Sequence, residues 1–237
     1  MNREYRKWNS RELYRDMEML EYGHAGFPIL VFPTSMGRFF EFEDRGMIHA
    51  LAGKIEAGHI RVFCVDGVDR ESWYNYGTHP QWRAFRHTQY DNYIRHEVIP
   101  YIRWRSGGDA LTLTGASFGA YHALNFTLRH PELVTYCAAL SGSYDIHQFI
   151  HGYYDDNCYF NCPVDFMRNM HDEWVLNRLR TGTRLVLAAG DWDICLGETR
   201  RMSGILHSKG IPHQCDVWEG NWKHDWPLWQ RMAAVYF

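Results

Sequence analysis

The sequence predicts an α/β fold in which a mainly parallel sheet is flanked by helices. Three observations carry that prediction. Short, wholly apolar runs recur along the chain, and stretches with helical apolar spacing lie between them. No internal repeat, low-complexity tract or linker rich in Pro, Gly or Ser interrupts the alternation. A length of 237 residues suits one such domain better than two.

Taken in order, residues 12–22 (ELYRDMEMLEY) alternate polar and apolar side chains, as a strand exposed on one face does. FPILVF, residues 27–32, is a short apolar run that stops at Pro33, the pattern of a strand buried on both faces. Residues 43–57 set Met47, Leu51 and Ile55 at helical spacing, and IRVFCV (60–65) is another buried strand. A helix is predicted over 88–104 from Tyr90, Ile94, Val98 and Ile102, with Pro100 kinking its C-terminal half. ALTLT (110–114) is a strand running into Gly115, a helix follows from Phe118 to about Arg129, and VTYCAAL (134–140) is the next strand. RLVLAA (184–189) is a strand with a helix after it near 197–208. CDVW (215–218) closes the strand series, and a final helix covers about 226–236.

Residues 143–173 break the alternation. They are rich in aromatics and have no clean period. An irregular segment of this length in a compact domain usually serves function, and its apolar content argues against disorder. It is expected to cap the C-terminal edge of the sheet, where α/β proteins place their ligands.

Composition narrows the functional classes. A net charge of −3 with scattered Lys and Arg gives no footprint for nucleic acid. No apolar stretch approaches the roughly 20 residues of a spanning helix, so no membrane partner is expected. The first residues, MNREYRKWNSRELYRDMEM, lack the apolar core of a secretory signal, and a cytoplasmic location is expected. The six cysteines are widely spread, and Cys64 and Cys137 lie in apolar runs typical of buried free thiols. Cys158 and Cys162 form the one close pair, without two further ligands in a recognisable spacing, so no metal is expected.

The strongest chemical signal is Gly115-Ala116-Ser117-Phe118-Gly119, a G-x-S-x-G pentapeptide between a strand and a helix. In that setting the turn is tight and strained, and it lifts the Ser117 hydroxyl above the sheet at a helix N-terminus. The helix dipole and free N–H groups there favour a developing oxyanion. A serine hydroxyl needs a base. His224, in the loop EGNWKHDWPLW between the last strand and the last helix, can swing its imidazole over the nucleophile. Asp191 and Asp193 follow a strand end, and either carboxylate could reach the far side of that imidazole. Serine, then acid, then histidine is the chain order of α/β-hydrolases.

The chain resembles the esterase branch of the α/β-hydrolases that includes S-formylglutathione hydrolases, feruloyl and acetyl-xylan esterases, and mycolyltransferases. The resemblance runs from about Tyr22 to Trp229 and is carried by VFPTSMGRFFEFEDRGM, GASFGAYHALNFTLRHP, GDWDICLGETRRMSGIL and KHDWPLW. It implies an α/β-hydrolase fold and the triad Ser117, Asp193 and His224. The family's G-x-x-D segment and following Arg match Gly190, Asp193 and Arg200, which favours Asp193 over Asp191. Its H-x-W-x-x-W ending matches His224, Trp226 and Trp229. The resemblance further implies an oxyanion hole from the backbone N–H of Phe118 and a second N–H in PTSMG, at Ser35 or Met36. Relatives carry a His-Gly or Asp-Gly pair at that loop and this chain does not, so the choice between the two stays open.

Arg38, beside that loop, and Trp73, Tyr74 and Trp192, on loops at the same edge, are candidate substrate contacts, although packing explains the aromatics equally well. The expected activity is serine-dependent hydrolysis of a small-molecule carboxylic ester through an acyl-enzyme, with no metal or organic cofactor. An acyltransferase on the same triad and an inert hydrolase-fold binding protein are the alternatives, and homo-oligomerisation is left open.

Overall fold

The computed structural model describes all 237 residues, Met1–Phe237. Eight strands are present: β1 (Arg3–Ser10), β2 (Arg15–Tyr22), β3 (Phe27–Phe32), β4 (Ile60–Val65), β5 (Thr112–Ala116), β6 (Tyr136–Leu140), β7 (Arg184–Gly190) and β8 (Gln214–Trp218). They form one sheet in the order β1-β2-β4-β3-β5-β6-β7-β8. β2 runs antiparallel to both β1 and β4, and every pairing from β4 to β8 is parallel. The register sets Phe32 opposite Gly115, Ala116 opposite Leu140, and Gly190 opposite Trp218. The C-terminal ends of β3, β5, β6, β7 and β8 therefore share one edge, and the loops leaving them converge there.

Alternation along the parallel strands divides the core in two. Leu30, Phe63, Leu113, Cys137 and Leu187 face a large layer, together with side chains of α4 (Pro80–Tyr93), α5 (Ile99–Ser106), α6 (Phe118–Arg129), α10 (Glu173–Thr181) and α11 (Leu196–Ser208). Ile29, Val31, Val62, Ala138 and Val186 face a smaller layer of α1 (Glu41–Asp44), α2 (Met47–Ala50), α3 (Ala52–Glu56) and α12 (Trp226–Tyr236). Between β6 and α10 lie α7 (His147–Ile150), α8 (Asp156–Phe160) and α9 (Pro163–Phe166). Tyr144, Phe149, Cys158, Cys162 and Phe166 of that stretch are buried within the large layer. No helix is long and apolar enough to cross a membrane.

The parallel strands and the helices at 118–129, 197–208 and 226–236 lie where the sequence places them, within two residues. Three departures have physical causes. β1 is not foreseen from the sequence, because its exposed and half-buried residues are largely charged, as suits an edge strand. The helix expected over 43–57 is three short pieces, broken where Gly46 takes a left-handed φ of 71°. Met47, Leu51 and Ile55 still bury one common face. The helix expected over 88–104 begins earlier, with Pro80 at its first turn and His79 as cap. A π-helical turn over 94–98 then takes up the register ahead of Pro100.

Candidate active site

β5 ends and α6 begins at Ser117, whose φ of 56° and ψ of −120° lie outside the regions comfortable for a side-chain-bearing residue. Two glycines make the turn possible. A Cβ on Gly115 would fall 2.4 Å from the carbonyl of Gly119, and one on Gly119 would fall 2.5 Å from the carbonyl oxygen of Phe32. The elbow is thus clamped against the end of β3, which brings the loop after β3 beside the first turn of α6.

On the other side, the loop between β8 and α12 delivers His224. Its Nδ1–H donates to Asp193 Oδ1 at 2.8 Å, and its Nε2 accepts from the Ser117 hydroxyl at 2.9 Å. Asp193 is buried and also accepts the backbone N–H of Cys195 at 2.7 Å. Burial alone would raise its carboxyl pKa, but the hydrogen bonds from His224, Ser141 and the Cys195 N–H together outweigh that and hold it below its ordinary value of 3.8. An ionised Asp193 fixes the imidazole tautomer with its lone pair toward Ser117. Asp191 plays a different part. Its carboxylate accepts the backbone N–H groups of Gly220, Asn221 and Trp222 at 3.1, 3.1 and 2.8 Å, so it shapes the loop that carries His224.

The loop after β3 is a turn closed by Gly37 N–H donating to the Thr34 carbonyl at 2.9 Å. Met36 occupies its third position with φ 56°, a place that usually goes to glycine. Thr34 N–H donates to Glu41, and Met36 N–H donates to Asp69 Oδ2 at 2.9 Å. Met36 is therefore corrected as an oxyanion donor, because its N–H is already bound. Pro33 has no N–H, and in this turn only the N–H of Ser35 lacks a protein acceptor. The Ser35 hydroxyl accepts from Tyr74 Oη at 2.7 Å, and the Tyr74 ring packs 5.4 Å from that of Phe118.

One further sequence candidate is corrected. Trp73 is fully buried against His87 and Phe149, out of reach of a substrate. The Arg38 guanidinium is held by Asp66 and Glu18, and Arg38 lines a cavity of about 180 Å³ with Met36 and Gly37. Trp192 is 59% exposed just past β7, on the loop that carries Asp193. Phe149, from the 143–173 stretch, is buried 4.9 Å from Tyr74 and 5.4 Å from Phe118, and so backs these two rings from within the core. Sequence reasoning missed Asp69 and His122, which meet beneath the Thr34–Gly37 turn. Their contact spans 53 residues, and nothing local signals it.

The two largest cavities, of about 640 and 600 Å³, open at the opposite edge of the sheet, beside residues such as Phe27, Ile60 and Ala110 or Arg184 and Gln214. Volume alone therefore points away from the serine, and the convergence of reactive groups is the better guide. Asp193, Cys195 and His224 come close enough to share an ion, as do Asp145, His147 and Cys162. In the first group both imidazole nitrogens are hydrogen-bonded, and burial pushes the Cys195 thiol up to about 12. In the second, burial also raises the Cys162 thiol, and Arg201 holds one oxygen of Asp145.

A family model described as "Putative esterase" matches residues 39–233. The chain belongs to that family, and it is an esterase. Solved structures share the architecture at low sequence identity. A ferulic acid esterase superposes with a TM-score of 0.78 at 16% identity, covering 99% of this chain and 95% of the other. The S-formylglutathione hydrolase of Staphylococcus aureus gives 0.73 at 13%, with coverage of 99% and 94%. Mycobacterium tuberculosis MPT51 gives 0.70 at 16%, with coverage of 99% and 96%. No curated protein sequence matches the chain. The fold of the esterase is that of the α/β-hydrolases, with β1 to β8 in their order and the G-x-S-x-G turn after β5.

Proposed function

We propose that this esterase hydrolyses carboxylic esters through an acyl-enzyme on Ser117, with His224 as general base and acid and Asp193 as its orienting carboxylate. The observation that carries the reading is the unbroken chain from Ser117 Oγ through His224 to Asp193, at 2.9 and 2.8 Å. His224 takes the hydroxyl proton as Ser117 Oγ attacks the ester carbonyl carbon, and the carbonyl oxygen becomes an oxyanion. The N–H groups of Phe118, at the N-terminus of α6, and of Ser35 stabilise it. His224 then gives its proton to the leaving alcohol. Water, deprotonated by the same imidazole, attacks the acyl-enzyme and releases the acid and the free serine.

Removing one oxyanion donor costs about 3–4 kcal/mol of transition-state stabilisation in such a site, and loss of the nucleophile or base costs more. The Ser117 strain is consistent with a hydroxyl held in its attacking position rather than one that must be ordered on binding. Tyr74 and Trp192 offer apolar contact to the substrate, with Phe149 packed behind Tyr74. All six cysteines are free, which suits the cytoplasm.

Intact-protein mass after exposure to a fluorophosphonate tests this reading. One adduct is expected, absent in Ser117→Ala and formed far more slowly in His224→Ala. Well-folded wild-type protein that stays unlabelled would refute it.

A further inference from the structure

Behind the Thr34–Gly37 turn lies a polar group that the reaction does not itself use. Asp69, in the loop after β4, and His122, in the second turn of α6, are both about 4% exposed. His122 Nε2–H donates to Asp69 Oδ1 at 3.0 Å, and Asp69 Oδ2 accepts the backbone N–H of Met36 at 2.9 Å. One carboxylate thus ties the turn that carries Ser35 to the helix that carries Phe118. The histidine cannot swing away. Its ring stacks 5.9 Å from Phe32 and 5.3 Å from His87, and meets the edge of Phe118 at 4.9 Å. The aspartate is fixed as well, because its own carbonyl accepts the N–H groups of Ser72 and Tyr74 at 3.2 and 3.0 Å.

The cost of the arrangement shows what it is for. Met36 is held at a positive φ without being glycine, and the central peptide of the turn points its N–H at Asp69, while the N–H of Ser35 has no protein acceptor. A strained residue persists only where its surroundings over-determine it, and here the Asp69 carboxylate supplies the constraint. Release of the Met36 N–H would let the turn relax, and the Ser35 N–H would move with it. A buried carboxylate beside a histidine would also be expensive to keep if it only filled space.

We infer that Asp69 and His122 are positioning residues of the oxyanion hole: they lock the Thr34–Gly37 turn to α6, so that the N–H groups of Ser35 and Phe118 keep a fixed separation. The inference rests on the Ser117 reading above, and neither residue touches the substrate. It separates the machinery into two parts, a proton-transfer side set by Asp193 and an oxyanion side set by Asp69.

The experiment compares wild type with Asp69→Ala, Asp69→Asn, His122→Phe and Ser117→Ala on p-nitrophenyl acetate, with thermal melting as the check on folding. Asp69→Ala is expected to lower kcat and kcat/KM together by about 100-fold with KM little changed, the signature of a contact made only in the transition state. Its affinity for phenylboronic acid, whose tetrahedral adduct uses the same hole, is expected to fall in step. The pH at which kcat/KM reaches half its maximum is expected to stay where it is, because the Ser117–His224–Asp193 chain is untouched. Asp69→Asn keeps an acceptor for Met36 N–H and is expected to recover most of the loss. His122→Phe keeps the ring packing but frees Asp69 from α6, with an expected loss of about tenfold from misplacement. A folded Asp69→Ala within threefold of wild type, or a boronate affinity that does not move, overturns the inference. If Asp69→Ala does not fold, His122→Phe decides it by the same readouts. Ser117→Ala separates the two levels: if it hydrolyses ester as fast as wild type, the triad reading falls and this one with it. If Ser117→Ala is inactive while the Asp69 and His122 variants are fully active, this inference alone is wrong.

Discussion

On one side of Ser117, Asp193 holds His224 with its Nε2 2.9 Å from the serine hydroxyl. On the other, Asp69 holds His122 among Phe32, His87 and Phe118, with its Nε2 turned toward the carboxylate and no nucleophile in reach. The chemistry of the two pairs is the same, and their burial differs. The His224 side chain is 18% exposed and rides on a loop, whereas that of His122 is 3% exposed and sits within a helix. A general base must exchange protons with substrate and water, so it needs an open face and a loop that can adjust. A brace needs neither, and gains from being sealed. An aspartate beside a histidine is therefore not by itself a sign of a catalytic base. The group that the second nitrogen faces decides.

The largest expected effect breaks the comparison outright if it fails. Ser117→Ala and His224→Ala should each lower kcat for a simple ester by about 10⁶-fold, because nucleophile and base act as one unit. A steady-state assay with active-site titration checks this. Retained activity in His224→Ala would mean that the base is elsewhere.

The next effect sharpens the division of labour between two acids two residues apart. Asp193→Asn should lower kcat by about 10⁴-fold, because the amide no longer enforces the tautomer that turns a lone pair toward Ser117. Asp191→Ala should cost about tenfold or less, since it only loosens the 220–222 backbone from which His224 hangs. Equal losses in the two variants would show that loop placement, not imidazole orientation, is the role of both.

The pH profile is a milder test. Asp193 has a carboxyl pKa below the ordinary 3.8, so its pairing with His224 stabilises the fold above that value and is lost only as pH falls through the lowered one. Asp193 should therefore add no proton of its own to any acidic fall in kcat/KM, which keeps a slope of about tenfold per pH unit. A steeper, two-proton fall would mean that Asp193 is protonated in the working range.

How much of this is legible in the sequence depends on how local each feature is. The elbow and α6 are encoded in one short stretch: an apolar strand, two glycines whose missing Cβ atoms allow close contact, and a helical run that ends at Arg129. His224 and the acid pair are legible from their places after strand ends. β1 is not, because a polar edge strand carries little hydrophobic signal, and its Trp8 and Ser10 find their acceptor in Glu97, 89 and 87 residues away. The same distance problem hides Asp69 and His122. Trp73 misleads because a Trp in a loop after a strand looks alike in sequence whether it packs or projects. Here Trp73 packs and Tyr74, its neighbour, reaches the site.

Trp192 offers the smallest effect and the finest discrimination. It stands on the loop of Asp193 and is pinned by its own backbone N–H, which donates to the Trp222 carbonyl at 3.1 Å. Its indole is 59% exposed, so truncation removes rim contact without opening the core. Trp192→Ala should raise KM for an ester of a bulky phenolic acid about two- to fivefold, leave KM for p-nitrophenyl acetate close to wild type, and leave kcat unchanged for both, as expected for loss of uniform binding. If kcat falls instead, the indole is bracing Asp193 rather than meeting substrate. The proton-transfer side would then be buttressed from outside in the way that Asp69 buttresses the oxyanion side from within.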